Sequence, residues 1–227
     1  MKKNHITIAV DGPSGAGKST LSRLCAGRFG LIYIDTGAMY RTVGLYVRRA
    51  GFGSKDAEAI ISLLPAINIE LKHDDDGLQR MLLNGADVSD EIRLPVISVY
   101  ASDVSAVPEV RKFLLGAQRE LAKRADVIMD GRDIGTVVLP DSGLKLFLTA
   151  TAQERAGRRY IELIEKGVET TFEEVLKDMD YRDKNDAGRS AAPLKPAPDA
   201  VILDTTGNTL EQSFELLTGI IAERFGI

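Results

Sequence analysis

The chain has 227 residues, 44% of them hydrophobic and 27% charged, an ordinary globular composition with enough residues for a real core. Its formal net charge of -4 argues against a general binder of nucleic-acid polymers, whose footprint is basic. One cysteine, Cys25, gives neither a disulfide framework nor a cysteine-rich metal site, and no apolar run reaches the ~20 residues of a membrane span.

The "MKKNH" start carries no long apolar segment of a signal peptide, so a reducing cytoplasm is the expected compartment. His5 and His73 have no ligand-spaced partner, so no zinc site is read. "HITIAVDG" is a short β-branched run ending at Asp11-Gly12. "KSTLSRLCAGRFG" has helical apolar spacing, with Cys25 on the packed side, and stops at Gly30. "LIYID" is a second strand and "GAMYRTVGLYVRRAG" a second helix. Strand, glycine loop, helix, strand, helix is the alternation of a parallel sheet covered by helices.

Residues 64–94 break that pattern. "AINIELKHDDDGLQRMLLNGADVSD" alternates polar and apolar residues, with turn signals at "DDDG" and "NG", and reads as a small antiparallel insert. Asp74–Asp76 lack the spacing and distal glutamate of a calcium loop and read as a solvated turn. Helices resume with "IRLPVISVYASDVSAV", and Pro108 opens another as its first residue. "DVIMDG" and "LKLFLTA" are further strands, followed by the charged helix "AQERAGRRYIELIEKG". "YRDKNDAGRSAAPLKPAPDA" reads as a charged, Gly/Pro-rich stretch. "AVILDTTG" is a last strand and "LEQSFELLTGIIAERFG" a closing helix. The framework is one doubly wound α/β sheet of about five parallel strands, with no internal repeat or linker.

Gly12-x-x-x-x-Gly17-Lys18-Ser19 matches the full phosphate-loop pattern. Glycines let backbone N–H groups turn inward around phosphate oxygens, and the next helix points its positive end at them. The expected contacts are Gly12, Pro13, Ser14, Gly15, Ala16, Gly17, Lys18, Ser19 and Thr20. Lys18 reaches the β/γ-phosphates and the Ser19 hydroxyl ligates Mg²⁺, so ATP or GTP with Mg²⁺ is the expected ligand. Asp130, ending "DVIMD", is either a magnesium-organising carboxylate or a strand-end aspartate bonding a nearby turn.

The fate of the phosphate depends on the acceptor side. A guanine-reading switch needs Asn-Lys-x-Asp after a strand, and "DKND" at 183–186 has the wrong order. A phosphotransferase needs a second cationic cradle in loops at strand ends. Arg41, Arg111, Arg132, Arg155, Arg158, Arg159, Arg182 and Arg189 recur in such places; any single one alone reads more readily as a solvated surface charge, and the case rests on their recurrence.

"DGPSGAGKST", "DTGAMYR", "ADVSDEIR", "SAVPEVR", "DGRDIGT" and "YRDKNDAGRSAAPL" together resemble the bacterial cytidylate kinases of the nucleoside monophosphate kinase superfamily. The resemblance runs from about Ile6 to the final helix. It implies a single P-loop kinase domain over 1–227, an NMP-binding insert at 64–94 and a helical lid at 153–189. Arg41, Arg132 and Arg189 would hold the CMP phosphate and, with Lys18, form the catalytic set. Ser102, Arg111 and Asp133 would read cytosine, Arg182 and Asp186 would meet the ribose, and Thr36 would contact the acceptor. Arg155, Arg158 and Arg159 would serve ATP from the lid. Family members carry serine as well as threonine at position 36, and glycine as well as serine at position 19. The implied activity is Mg²⁺-dependent transfer from ATP to CMP or dCMP by a cytoplasmic monomer, with no membrane or nucleic-acid partner. The alternatives are a P-loop kinase for UMP, AMP or shikimate, and a nucleotide-binding switch.

Overall fold

The computed structural model describes residues 5–74 and 78–227. Met1–Asn4 and Asp75–Gly77 lie outside them, and with them the reading of the "MKKN" start and most of the expected "DDDG" turn. In chain order the elements are β1 (Thr7–Asp11), α1 (Lys18–Phe29), β2 (Ile32–Asp35), α2 (Thr36–Arg49), α3 (Ala57–Leu63), β3 (Ile69–His73), β4 (Gln79–Leu83), β5 (Ala86–Asp87) and α4 (Pro95–Val104). Then follow α5 (Pro108–Ala122), β6 (Val127–Gly131), β7 (Leu144–Thr149), α6 (Ala152–Glu165), α7 (Phe172–Ala187), β8 (Val201–Asp204) and α8 (Leu210–Phe225). The chain divides into two compact units, residues 1–33 with 121–227, and residues 34–120.

The first unit is built on a five-stranded sheet of order β2-β6-β1-β7-β8, whose β1–β6, β1–β7 and β7–β8 pairs are parallel. β1 is its middle strand and is buried from Ile8 to Asp11, as expected of a strand covered on both faces. One core joins Ile8, Val10, Leu21, Cys25, Ile128, Leu146, Leu148, Leu217 and Ile221. Burial pushes the Cys25 thiol up to about 12, which suits a packing residue rather than a reactive one. The register sets Val10 beside Asp130 and Asp11 beside Gly131. The two loops that follow β1 and β6 therefore leave the sheet level with each other, at a reversal of strand order where such sheets place ligands.

α6 and α7 share a smaller core of Ala156, Leu163, Val175 and Met179, with Tyr160 and Phe172 edge to face at 6.4 Å. The sequence reading left "YRDKNDA" in an irregular stretch, whereas the structure places Tyr181–Ala187 in the last two turns of α7. The reason is local and strong. Thr171 and Glu174 form a reciprocal capping box at the helix start, Lys184 pairs with Asp180 one turn back, and Val175 and Met179 bury the inner face.

In the second unit, β3, β4 and β5 form an antiparallel sheet within residues 64–94. Asn84 and Gly85 both have positive φ, 50° and 85°, so the "NG" signal makes the mirror-image turn that matches strand twist. The unit's core runs through Met39, Val43, Leu45, Ile60, Met81, Ile92, Ile97, Val104 and Leu114. Among the described residues, no helix is long and apolar enough to cross a membrane.

Candidate active site

The phosphate loop is shaped by contacts that leave no space for side chains. A Cβ on Gly12, whose φ is 148°, would stand 2.0 Å from the Leu148 carbonyl oxygen of β7. One on Gly15 would stand 2.8 Å from the Arg155 carbonyl and 2.7 Å from the Met179 methyl. Glycine is therefore required by close backbone approach at both positions, not only by backbone freedom.

Lys18, 6% exposed, donates from Nζ to the Pro13 carbonyl at 2.7 Å, which lays its ammonium along the loop. Burial, and then the charge of Arg132, pull that ammonium well below the usual lysine range. Counter-charge from a phosphate chain would relieve both effects. The Ser19 hydroxyl donates to the Asp130 carboxylate at 2.7 Å. Two hard oxygen donors side by side suit Mg²⁺, which keeps waters and substrate phosphates as its remaining ligands. Among the described residues, no group of three His, Cys, Asp or Glu side chains could hold a metal.

Ser14 is held on all three of its polar groups. Its carbonyl accepts from Arg155 Nη1 at 2.8 Å, its hydroxyl accepts from Arg132 Nη2 at 3.0 Å, and its N–H reaches Asp183 Oδ1 at 3.4 Å. Arg155 also pairs with Asp183 at 2.6 Å and donates to the Ala150 carbonyl. Of the three arginines expected to serve ATP, Arg155 is therefore buried against the loop itself. Arg158 donates to the Thr205 carbonyl and hydroxyl, and Arg159 to Glu162.

Arg132 and Arg189 converge on one carboxylate. Arg132 Nε donates to Asp186 Oδ2 at 2.7 Å, and Arg189 Nη2 donates to Asp186 Oδ1. Burial pushes the Asp186 carboxyl up, but Arg132 and Arg189 outweigh it and hold the group below the usual carboxylate range. Arg182, one turn earlier on α7, adds a weaker pull. Asp133 is 4% exposed and follows Arg132 directly. Its carbonyl accepts from Val137 and Val138, opening a wide turn over Ile134–Val138. Its side chain does not cap that turn.

The second unit carries the other expected acceptor residues. Thr36 is the buried first residue of α2. Arg41 Nη2 donates to Asp35 Oδ2 at 2.6 Å, while Asp35 Oδ1 caps the helix through the Ala38 N–H at 3.0 Å. Gln79 of β4 grips the Asp35 backbone twice, accepting from its N–H and donating to its carbonyl. Ser102 and Arg111 meet through Ser105. The Ser105 hydroxyl donates to the Ser102 carbonyl, and its own carbonyl accepts from Arg111 Nη1 at 3.3 Å. The Arg111 guanidinium lies 5.5 Å from the centre of the Tyr40 ring, within cation–π range.

Sequence reasoning missed Asp11, Asp35, Gln79 and Asp183. Asp35 was findable as an aspartate three residues ahead of Ala38 at a helix start. Asp183 and Asp11 act across 169 and 123–124 residues of chain, and no local pattern announces such partners.

A phosphate loop with a hydroxyl–carboxylate pair for a metal, beside two arginines sharing one aspartate, defines a phosphotransferase of the P-loop kinase class. The cytidylate kinase family model matches residues 8–223, and the chain belongs to that family. A cytidylate kinase of Caldicellulosiruptor saccharolyticus is 52% identical over 93% of this chain and 92% of its own length. One from Syntrophotalea carbinolica is 46% identical over 97% and 93%. The solved structure of an uncharacterized protein from Eubacterium ventriosum superposes with a TM-score of 0.52 at 13% identity, covering 97% of this chain and 99% of that one, a likeness of fold.

Proposed function

We propose that this chain transfers the γ-phosphoryl group of ATP to CMP, and to dCMP, giving CDP or dCDP and ADP. The observation that carries this reading is the pairing of Arg132 and Arg189 on Asp186, with Arg132 also bonded to Ser14 of the phosphate loop. A cationic pair is thereby fixed to the loop that holds the donor, where an anionic acceptor has to arrive. In-line attack by a CMP phosphate oxygen needs no general base, because the second phosphate pKa is ~6 and the oxygen is already anionic near neutrality. The work left to the protein is positioning and charge stabilisation.

In this reading residues 12–20 wrap the ATP phosphates, and Lys18 follows the transferring group. Arg132, Arg189 and Arg41 hold the CMP phosphate. Asp133, Arg111 and Ser102 read cytosine, Arg182 and Asp186 meet the ribose, and Thr36 touches the acceptor. Ser19 would hold Mg²⁺, with Asp130 orienting that hydroxyl. Bound there, Mg²⁺ would supply charge neutralisation to the phosphate chain. Residues 153–189 act as the lid that keeps water from the γ-phosphate, with Arg158 and Arg159 drawn to ATP on closure and Arg155 bracing the loop. Residues 64–94 serve the nucleotide acceptor. The protein works on free nucleotides as a cytoplasmic monomer.

The test is ADP release in a coupled assay with CMP, dCMP, UMP, AMP and shikimate as separate acceptors. CMP and dCMP should drive rapid release that stops when Mg²⁺ is chelated. Slow release independent of any acceptor would instead identify a nucleotide switch, and preference for another acceptor would identify a different kinase.

A further inference from the structure

Asp11 lies just ahead of the glycine pattern, and the phosphate-loop chemistry gives it no part. It is nevertheless 3% exposed and bears a carboxylate, so the fold must answer a buried charge. The answer comes from the turn after β6. Asp11 Oδ1 accepts from the Ile134 N–H at 2.7 Å, and Oδ2 accepts from the Gly135 N–H at 2.8 Å. These are the first two residues of the Ile134–Val138 turn, whose opening N–H groups have no acceptor within the turn itself. A strand end thus caps a turn 123–124 residues away in sequence, through two charge-assisted bonds. Burial pushes the Asp11 carboxyl up to about 6, and the two amide bonds pull against that rise.

Asp133 is the residue just before that turn, and Arg132 the one before it. The turn hangs from the Asp133 carbonyl, which accepts from both Val137 and Val138. Whatever fixes the amides of residues 134 and 135 therefore also fixes the direction in which the Arg132–Asp133 pair leaves β6. We propose that Asp11 is a positioning residue for acceptor recognition, setting the Arg132–Asp133 pair against the strand that launches the phosphate loop. The proposal rests on the reading of Asp133 as a cytosine-contacting residue. It extends that reading by making cytosine discrimination depend on a carboxylate that touches neither substrate.

The experiment compares Asp11→Asn, Gly135→Ala, Asp133→Ala and the Asp11→Asn/Asp133→Ala double variant, each checked by thermal melt. Steady-state kinetics are run with CMP and UMP, and with ATP varied at saturating CMP. Asn keeps the size of Asp11 but turns an amide donor toward one of the two N–H groups. The expected result is a KM for CMP raised roughly tenfold, the cost of one buried N–H left without an acceptor. The KM for ATP should stay within about twofold. The CMP-over-UMP ratio of kcat/KM should fall in parallel, and Asp133→Ala should add no further fall in that ratio to Asp11→Asn.

Gly135→Ala supplies the same push with Asp11 intact. Its Cβ would stand 3.4 Å from Asp11 Oδ2 and 3.2 Å from the Lys145 side chain, which is tied to Asp199. It should show the same pattern at smaller size, and it carries the test if Asp11→Asn does not fold. Equal rises in the two KM values, an unchanged CMP-over-UMP ratio, or independent losses from Asp11 and Asp133 would overturn the proposal. Asp133→Ala that leaves the ratio intact removes the cytosine reading alone. The split between the CMP and ATP KM values in Asp11→Asn then still decides whether Asp11 positions the acceptor side.

Discussion

The loop after β1 and the loop after β6 leave the sheet side by side, yet they solve the same problem in opposite ways. The first, Gly12–Gly17, offers backbone N–H groups, and Gly12 and Gly15 are forced by the approach of Leu148 and Arg155. The second, from Arg132 through the Ile134–Val138 turn, offers side chains, each held by a distant partner: Arg132 by Asp186 and Ser14, the turn by Asp11. Backbone donors suit a phosphate chain, which is the same in every nucleoside triphosphate. Side chains suit a particular acceptor. On the proposed reading generic and specific recognition stand on neighbouring strands, and substitutions in the two loops should fail differently.

The largest effect is expected at Lys18. Lys18→Ala should lower kcat on the order of a thousandfold with every acceptor alike, because in the proposed function Lys18 follows the transferring group. The melting temperature should hold or rise, since a buried ammonium is lost. Single-turnover rates with CMP and dCMP check this, and near-normal turnover would remove the donor half of the comparison.

Asp130→Asn comes next. It keeps the shape of the strand end but weakens the acceptor for the Ser19 hydroxyl. The Mg²⁺ concentration giving half-maximal rate should rise about 10–100-fold, and saturating Mg²⁺ should recover most of the activity. Magnesium titration at fixed ATP measures it, and a curve that does not shift would place Asp130 outside the metal site.

Asp133→Ala tests the specific loop. Cytosine presents an amino donor where uracil presents a carbonyl, and a carboxylate suits only the donor. The variant should lose roughly 1–3 kcal/mol in kcat/KM for CMP and much less for UMP. Equal loss with both acceptors would mean that Asp133 organises the site without reading the base.

The same contrast explains what the sequence could disclose. The phosphate loop is contiguous, so its spacing is visible, as are the five strands, the Gly30 stop and the Asn84-Gly85 turn. The arginines proposed for the acceptor are legible only as arginines near strand ends and through family resemblance, because sequence spacing does not show the partners that the fold gives them. Arg155 shows the limit. It lies in residues 153–189, which the resemblance makes the lid over ATP, and nothing local in the sequence announces that the fold buries it on the Ser14 carbonyl, a contact across 141 residues. The end of α7 is obscured by the Gly- and Pro-rich residues that follow it, although Thr171 and Glu174 carry a capping signal ten and seven positions ahead of Tyr181.

The smallest effect belongs to Asp35, where one carboxylate performs two tasks that substitution can separate. Oδ1 caps α2 and Oδ2 pairs with Arg41. Asparagine caps about as well as aspartate, whereas alanine does not, and a lost cap costs about 1 kcal/mol. The ion pair is partly exposed, with 21% of the Arg41 side chain and 14% of the Asp35 side chain accessible, and such pairs contribute ~0–1 kcal/mol. Asp35→Ala should therefore destabilise by more than Asp35→Asn, by about the value of the cap. The two also differ with pH. Burial pushes the Asp35 carboxyl up, but Arg41 and the Ala38 N–H outweigh it, and the folded group titrates below its ordinary value of 3.8. A carboxylate depressed on folding adds stability that is present above the unfolded value and lost as pH falls through the folded one. The ion-pair part of the gap between the wild-type protein and Asp35→Asn should thus be full at pH 7, begin to shrink as pH falls to 3.8, and go on shrinking towards the lower folded value. The gap between the Asn and Ala variants, which carry no carboxylate at this position, should stay constant. Urea unfolding at pH 7, 5 and 3.5 reads both gaps. A wild-type advantage over Asp35→Asn that persists unchanged at the lowest pH would show that Arg41 draws nothing from Asp35. Arg41 would then have to be held for the CMP phosphate by other groups of its own unit.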